Sequence, residues 1–220
     1  VESFEAEGVV GSVDRPADGA RAAVLLAHGA GGDRESKILL SVSAALTARG
    51  LLVARIDLPF RQRRPKGPPS PSGAAGDRAG IVAAATALRA LAGDISLVIG
   101  GQSYGGRQAS MVAAEGCGCG KGGGRPDRLA DGLLLLSYPL HPPGKPEKMR
   151  TEHFPQLRTP VVFVHGSSDP FATDAELAAA VTAISSPVHV VNIAGAGHDL
   201  APAKKPTGVL TADAVVDYLL

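Results

Sequence analysis

Three side chains far apart in the sequence have the types needed for nucleophilic acyl chemistry, and each lies just beyond an apolar run of strand length. Ser103 stands in Gly101-Gln102-Ser103-Tyr104-Gly105, after Leu97-Val98-Ile99 and before a helix-compatible stretch. Asp169 stands in His165-Gly166-Ser167-Ser168-Asp169-Pro170, after Val161 to Val164, and His198 in Gly195-Ala196-Gly197-His198-Asp199, after Val188 to Ile193. A serine hydroxyl is a weak nucleophile at neutral pH and needs a base within hydrogen-bond reach. That base in turn needs an acid to fix its tautomer and stabilise its charged form. Ser103, His198 and Asp169 are expected in those roles. Glycines beside Ser103 allow the sharp strand-to-helix turn that lifts a hydroxyl clear of a sheet edge.

Such chemistry also needs donors for the developing oxyanion, each contributing about 2.7 to 4 kcal/mol. The amide of Tyr104, next to the nucleophile, is one candidate, and that of Ala30 in His28-Gly29-Ala30-Gly31-Gly32 is the other. Each motif alone has an ordinary explanation. Gly-x-Ser-x-Gly can be a tight turn, Asp before Pro is common in turns, and a glycine-flanked histidine usually sits on a surface. The His28 glycine stretch lacks the dinucleotide-loop spacing, and no Walker lysine follows it. All four falling at strand ends, in the order Ser, Asp, His, outweighs coincidence. Of the other candidates, His28 is expected to position its loop, His165 to support the Asp169 turn and His189 to sit within a strand. Asp174 reads as first-turn helix charge, and Asp199 is too close to His198 in sequence for good geometry.

Positioning these residues requires a parallel sheet. Strand-length apolar runs at Ala23 to Ala27, Leu51 to Ile56, Ile95 to Ile99, Leu133 to Leu136, Val161 to Val164 and Val188 to Ile193 alternate with stretches of helical period. This predicts an α/β fold, a mostly parallel central sheet with helices on both faces. Ile38, Leu39, Val42, Ala45 and Leu46 mark one helix, stopped by Gly50; Ile81, Ala84, Ala85, Leu88 and Leu91 mark another, ending near Gly93. A helix after Ser103 runs to about Ala114, Thr173-Asp174-Ala175-Glu176 has the form of a capping box, and Thr211 to Leu219 closes the chain. The first dozen residues suggest one or two antiparallel edge strands. Pro59 to Gly76 reads as a long surface loop near the site, and Gly116 to Pro126 as a mobile connection.

The chain has 220 residues, 45% of them apolar, and a net charge of +1, which fits one globular domain over residues 1–220. That charge balance argues against nucleic acid as a partner, and no apolar run is long enough to span a bilayer. Glu2, Glu5 and Glu7 are unlike a signal peptide, so a cytoplasmic location is expected. Cys117 and Cys119 are too close for an ordinary disulfide and too few for zinc, and read as incidental thiols.

On Leu25 to Asp33, Gly100 to Arg107, Tyr138-Pro139-Leu140-His141-Pro142-Pro143-Gly144-Lys145, Arg150-Thr151-Glu152-His153 and Gly166 to Phe171, the chain resembles small α/β-hydrolases of the dienelactone-hydrolase-like group. The closer resemblance is to the branch containing the human testis-expressed hydrolase-like protein and subunit 3 of the NSL chromatin complex. The resemblance implies an eight-stranded hydrolase sheet and the same triad. Dienelactone hydrolases use a cysteine where this chain has Ser103, which argues against dienelactone hydrolysis itself.

The expected function is a cofactor-free, metal-free serine hydrolase acting on a small-molecule carboxylic ester or thioester through an acyl-enzyme. Acyl transfer shares the same residues. The competing class is a catalytically idle hydrolase-fold protein serving as a binding module. Only Pro139 to Thr159 is available where hydrolases often insert a lid, so an open cleft suited to short acyl esters is expected, with His141 and Arg150 on its wall. Arg61, Arg63 and Arg64 follow a strand whose end faces the site. They are candidates for contacting an anionic substrate group, against the commoner role of a solvated basic loop.

Overall fold

A computed structural model describes residues 1–116, 128–201 and 203–220. The readings of Cys117, Cys119 and the glycine-rich connection lie outside the described residues. The strands are β1 (Glu2–Ala6), β2 (Val9–Asp14), β3 (Ala22–Ala27), β4 (Leu51–Asp57), β5 (Ser96–Gln102), β6 (Gly132–Leu136), β7 (Val161–Gly166) and β8 (Val188–Ile193). They form one sheet in the order β1-β2-β4-β3-β5-β6-β7-β8. β1, β2 and β4 pair antiparallel, and every other pairing is parallel. Residues 1–14 thus supply both antiparallel strands, with β1 at one edge and β8 at the other.

Helices cover both faces, as parallel strands with buried sides require. Alternate residues of β3 point to opposite cores. Val24 and Leu26 belong to the core that also holds Ile38, Leu39 and Leu46 of α1 (Lys37–Thr47) and Ala212 and Val215 of α6 (Thr207–Leu219). Ala23 and Leu25 belong to the core that also holds Ile81 and Leu88 of α3 (Ala74–Ala92), Ala109 and Val112 of α4 (Tyr104–Glu115), and Leu177 of α5 (Asp174–Val181). Gly50 takes φ 80°, the left-handed conformation its place after α1 calls for.

Two boundaries differ from expectation. The stretch from Pro59 to Gly76 is not all loop: it holds a short helix α2 (Pro59–Arg63) and a 3-10 turn (Pro71–Gly73) that leads into α3. The closing helix begins a turn early, at Thr207, because Gly208, a poor helix former in isolation, is where α6 approaches α1. A Cβ there would lie 2.6 Å from the carbonyl oxygen of Ser41. Among the described residues no helix is long and apolar enough to cross a membrane.

Candidate active site

β5 ends at Gln102 and α4 begins at Tyr104, so Ser103 is the whole turn between them. Its backbone is at φ 50° and ψ −111°, a conformation disfavoured for a residue with a Cβ. The surroundings over-determine it. The Ser103 amide donates to the Leu136 carbonyl at 2.8 Å, and the Arg107 amide donates to the Ser103 carbonyl at 2.9 Å. The neighbouring glycines are needed for close approach to β3: a Cβ on Gly105 would stand 2.6 Å from the carbonyl oxygens of both Ala27 and His28.

The three predicted side chains meet at the carboxyl ends of β5, β7 and β8. His198 Nε2 is 2.8 Å from Ser103 Oγ, and His198 Nδ1 is 2.8 Å from Asp169 Oδ2 and 3.0 Å from Oδ1. Asp169 is buried, and its Oδ1 also accepts from the Phe171 amide at 2.9 Å. With a carboxylate facing Nδ1, that nitrogen carries the proton and Nε2 is left to accept from the serine. The arrangement is able to move a proton off Ser103 and hold the resulting imidazolium beside a fixed negative charge.

Facing Ser103 is the loop after β3. His28 is fully buried; the Leu58 amide donates to its Nε2 at 3.1 Å, so Nδ1 is the protonated nitrogen and donates to the Gly29 carbonyl at 2.8 Å. Burial holds the His28 pKa below its ordinary value, and the ring acts as a neutral strut. Ala30 and Tyr104 both line the cleft beside Ser103 and His198. Tyr104 is the first residue of α4, whose amide has no acceptor within the helix. Below it, the Tyr104 hydroxyl donates to Asp77 Oδ2 at 2.7 Å, and Asp77 Oδ1 accepts from the Phe60 amide at 3.0 Å, tying the turn to α2 and α3.

The cleft has a volume of about 760 Å³. Pro68, Pro69 and Pro71 form one wall, so the proline-rich stretch after α2 does border the site, and Pro139, Arg150 and Phe171 stand among the others. Among the described residues, no three His, Cys, Asp or Glu side chains converge in a way that could hold a metal.

Two of the pocket candidates, one a possible substrate contact and one an expected wall residue, are absent from the cleft lining. Arg61 is buried, and its guanidinium donates to the carbonyls of Gly32, Ala30, Arg64 and Gly67 at 2.8 to 3.2 Å. Its donors are taken up by backbone carbonyls, and it is not part of a solvated loop. The start of α2 turns it inward, where it braces the Ala30 loop; Arg63 and Arg64 are exposed. His141 is also absent from the wall. Its Nδ1 is 2.8 Å from the Pro142 carbonyl and its Nε2 3.2 Å from Glu176 Oε2. Both nitrogens face acceptors, which only the cation satisfies, and these bonds raise its pKa. Glu176 is held down to about 2 by the amide and hydroxyl of Thr173 and then by His141, so His141 belongs to the cap of α5.

Arg150 does line the cleft, and beside it are residues that motif reading missed. Arg107 and Gln108 come from α4, and Phe171 follows Asp169. Arg107 had a usable signal: four residues after Ser103 on a helix is the same face, one turn along. Asp199 caps its own turn by accepting from the Ala201 amide at 3.0 Å. His165 is buried, its Nε2 3.3 Å from Asp174 Oδ1 but out of line for a hydrogen bond, and burial lowers its pKa. His189 sits on the edge strand β8 with its ring stacked on Tyr218, centroids 3.6 Å apart.

Comparison with known proteins agrees with this architecture. The chain is similar to a dienelactone hydrolase from Anabaena variabilis, with a TM-score of 0.73 at 19% identity over 100% of this chain and 99% of that one. It is similar to the esterase domain of a Rhodothermus marinus protein, with a TM-score of 0.71 at 18% identity over 100% and 98% of the two chains. A lidless α/β serine hydrolase from Xanthomonas campestris gives 0.70 at 16% identity over 100% and 95%. At these identities the likeness is one of fold. A family described as an alpha/beta hydrolase domain matches residues 20–217, a span that includes Ser103, Asp169 and His198, and the chain belongs to that family.

Proposed function

We propose that the protein is a serine hydrolase that cleaves a carboxylic ester or thioester through an acyl-enzyme, with Ser103, His198 and Asp169 as its catalytic triad. The observation that carries this is the unbroken hydrogen-bonded path from Ser103 Oγ through the His198 ring to the buried Asp169 carboxylate. Ser103 Oγ attacks the carbonyl carbon while His198 Nε2 takes its proton. The carbonyl π pair moves onto oxygen, and the amides of Ala30 and Tyr104 are assigned to hold that oxyanion. Collapse expels the alcohol or thiol, which leaves with the proton from His198. A water molecule, deprotonated by the same nitrogen, then attacks the acyl-enzyme and releases the acid and free Ser103.

The lidless cleft fits short acyl chains better than long lipids. Within the family we place the chain nearer the testis-expressed hydrolase-like branch, on its Tyr138 to Lys145 motif. In this proposal residues 1–220 work as one domain, in the cytoplasm, on a small molecule rather than on nucleic acid or a membrane. A fluorophosphonate probe should label the wild type and fail to label Ser103→Ala, and short p-nitrophenyl esters should turn over faster than long-chain ones. A folded wild type that takes no label returns the chain to the class of binding modules.

A further inference from the structure

Three side chains of the cleft lining, Arg107, Arg150 and Gln108, bring hydrogen-bond donors to it. Arg107 reaches it from one turn beyond Ser103 on α4, and Arg150 from the connection between β6 and β7. Gln108, fully buried on α4, also lines the cleft. Its Oε1 accepts from Arg78 at 3.2 Å, while its Nε2 has no partner. The Arg107 Nε is likewise buried without a partner. Among the described residues neither arginine forms an ion pair. The two cations also feel each other: Arg150 is held below its ordinary pKa first by burial and then by the charge of Arg107.

The placement of Arg150 is not incidental. Its amide donates to the Leu140 carbonyl at 2.7 Å, and its carbonyl accepts from the buried Tyr138 hydroxyl at 2.7 Å. The backbone is thus pinned from both sides, and only the guanidinium is left over for the cleft. Like charges held half-buried near each other repel, and the carboxylate whose charge also acts on Arg150, that of Glu152, is exposed and forms no ion pair with it, so a fold that keeps both arginines needs a reason. The two arginines that are fully buried are both satisfied: Arg55 pairs with Asp14 and Glu35, and Arg61 spends its donors on carbonyls.

We propose that Arg107, Arg150 and the free amide of Gln108 form an anion subsite, and that the natural substrate is an ester or thioester carrying a second, carboxylate-like charge. This rests on the serine hydrolase reading and narrows it to a substrate class. One helical turn is about 5.4 Å, so the charge sits several bonds from the scissile carbonyl, as at the far end of a short dicarboxylic half-ester. Paired guanidinium forks suit planar carboxylates and also accept phosphate.

Three 4-nitrophenyl esters of matched length test this: hydrogen adipate, its neutral methyl ester, and the analogue with a terminal phosphonate. Wild type should prefer an anionic ester by about tenfold to a hundredfold in kcat/KM, the range of a charge-assisted contact. The carboxylate and phosphonate arms tell which anion it is. Arg107→Gln and Arg150→Gln should each erode the preference, Arg150→Lys should retain part of it, and Arg150→Glu should reverse it. Free adipate and inorganic phosphate provide a readout independent of turnover: one should raise the Tm of wild type but not of the Arg107→Gln, Arg150→Gln double variant. Hydrolysis of the neutral ester with no preference for either anion overturns the subsite and leaves the hydrolase reading intact. Anion binding at these arginines in a protein that takes no fluorophosphonate overturns the hydrolase reading and keeps the subsite. Neither preference nor a Tm shift overturns the subsite outright.

Discussion

The ring of Phe171 lies against the imidazole of His198, with centroids 4.1 Å apart and planes 29° from parallel. The same residue donates its backbone amide to Asp169, so one residue holds both the imidazole and its acid. An aromatic face also favours the cationic ring formed during the reaction. Phe171→Ala keeps the amide and loses the stack. Its kcat on a short ester should fall about tenfold with a smaller change in KM, and Phe171→Tyr should restore it. An unchanged kcat in Phe171→Ala would remove the ring from any positioning role.

Arg61 and the cleft arginines should separate cleanly. Arg61→Met leaves the carbonyls of Ala30 and Gly32 without their donor, and unsatisfied buried groups cost about 1 to 3 kcal/mol each. A lower Tm and a reduced kcat are expected from the loosened Ala30 loop. The ratio of rates on charged and neutral esters should not move, because Arg61 is not part of the cleft lining and its donors are held by backbone carbonyls.

The elbow tolerates no side chain at Gly105. Gly105→Ala forces a methyl group into the carbonyls of Ala27 and His28, and overpacking of this kind costs about 1 to 3 kcal/mol. Denaturant unfolding should show that loss together with weaker fluorophosphonate labelling. Gly76→Ala, in the first turn of α3 with open space around it, should be neutral or slightly stabilising.

His153 gives the fold an acid-sensitive point. Burial, aided by the charge of Arg107, lowers its pKa to about 4, and its Nε2 is 2.8 Å from Ser110 Oγ. The unfolded chain takes up this proton near pH 6.5 and the folded one only near 4, so unfolding binds a proton between those values. Stability from this residue is complete above pH 6.5 and declines as the pH falls towards 4. One proton limits the slope to about 1.4 kcal/mol per pH unit, and partial solvent contact keeps it lower. His153→Gln, able to keep a bond to Ser110, should flatten the stability profile in that window. A profile identical to wild type would mean that folding leaves the His153 pKa unchanged.

Much of the scaffold was legible because it depends on local rules. Apolar periodicity marked the six parallel-region strands from β3 to β8, the Thr173 and Glu176 pair marked the start of α5, and glycine spacing marked the turn at Ser103. Strand ends in an open α/β sheet gather on one edge, so residues just past β5, β7 and β8 were bound to be neighbours. What each charged side chain does was set by long-range packing. His141 was drawn away from the cleft by Glu176 and Arg61 by the carbonyls of its neighbouring loops, while Arg107 and Arg150, from separate elements, were left facing the same space. Sequence determined where backbone turns present side chains, because turn chemistry and periodicity act over a few residues. Only the tertiary structure decided which charges would be neutralised and which kept free, because that depends on partners that folding brings in from distant segments.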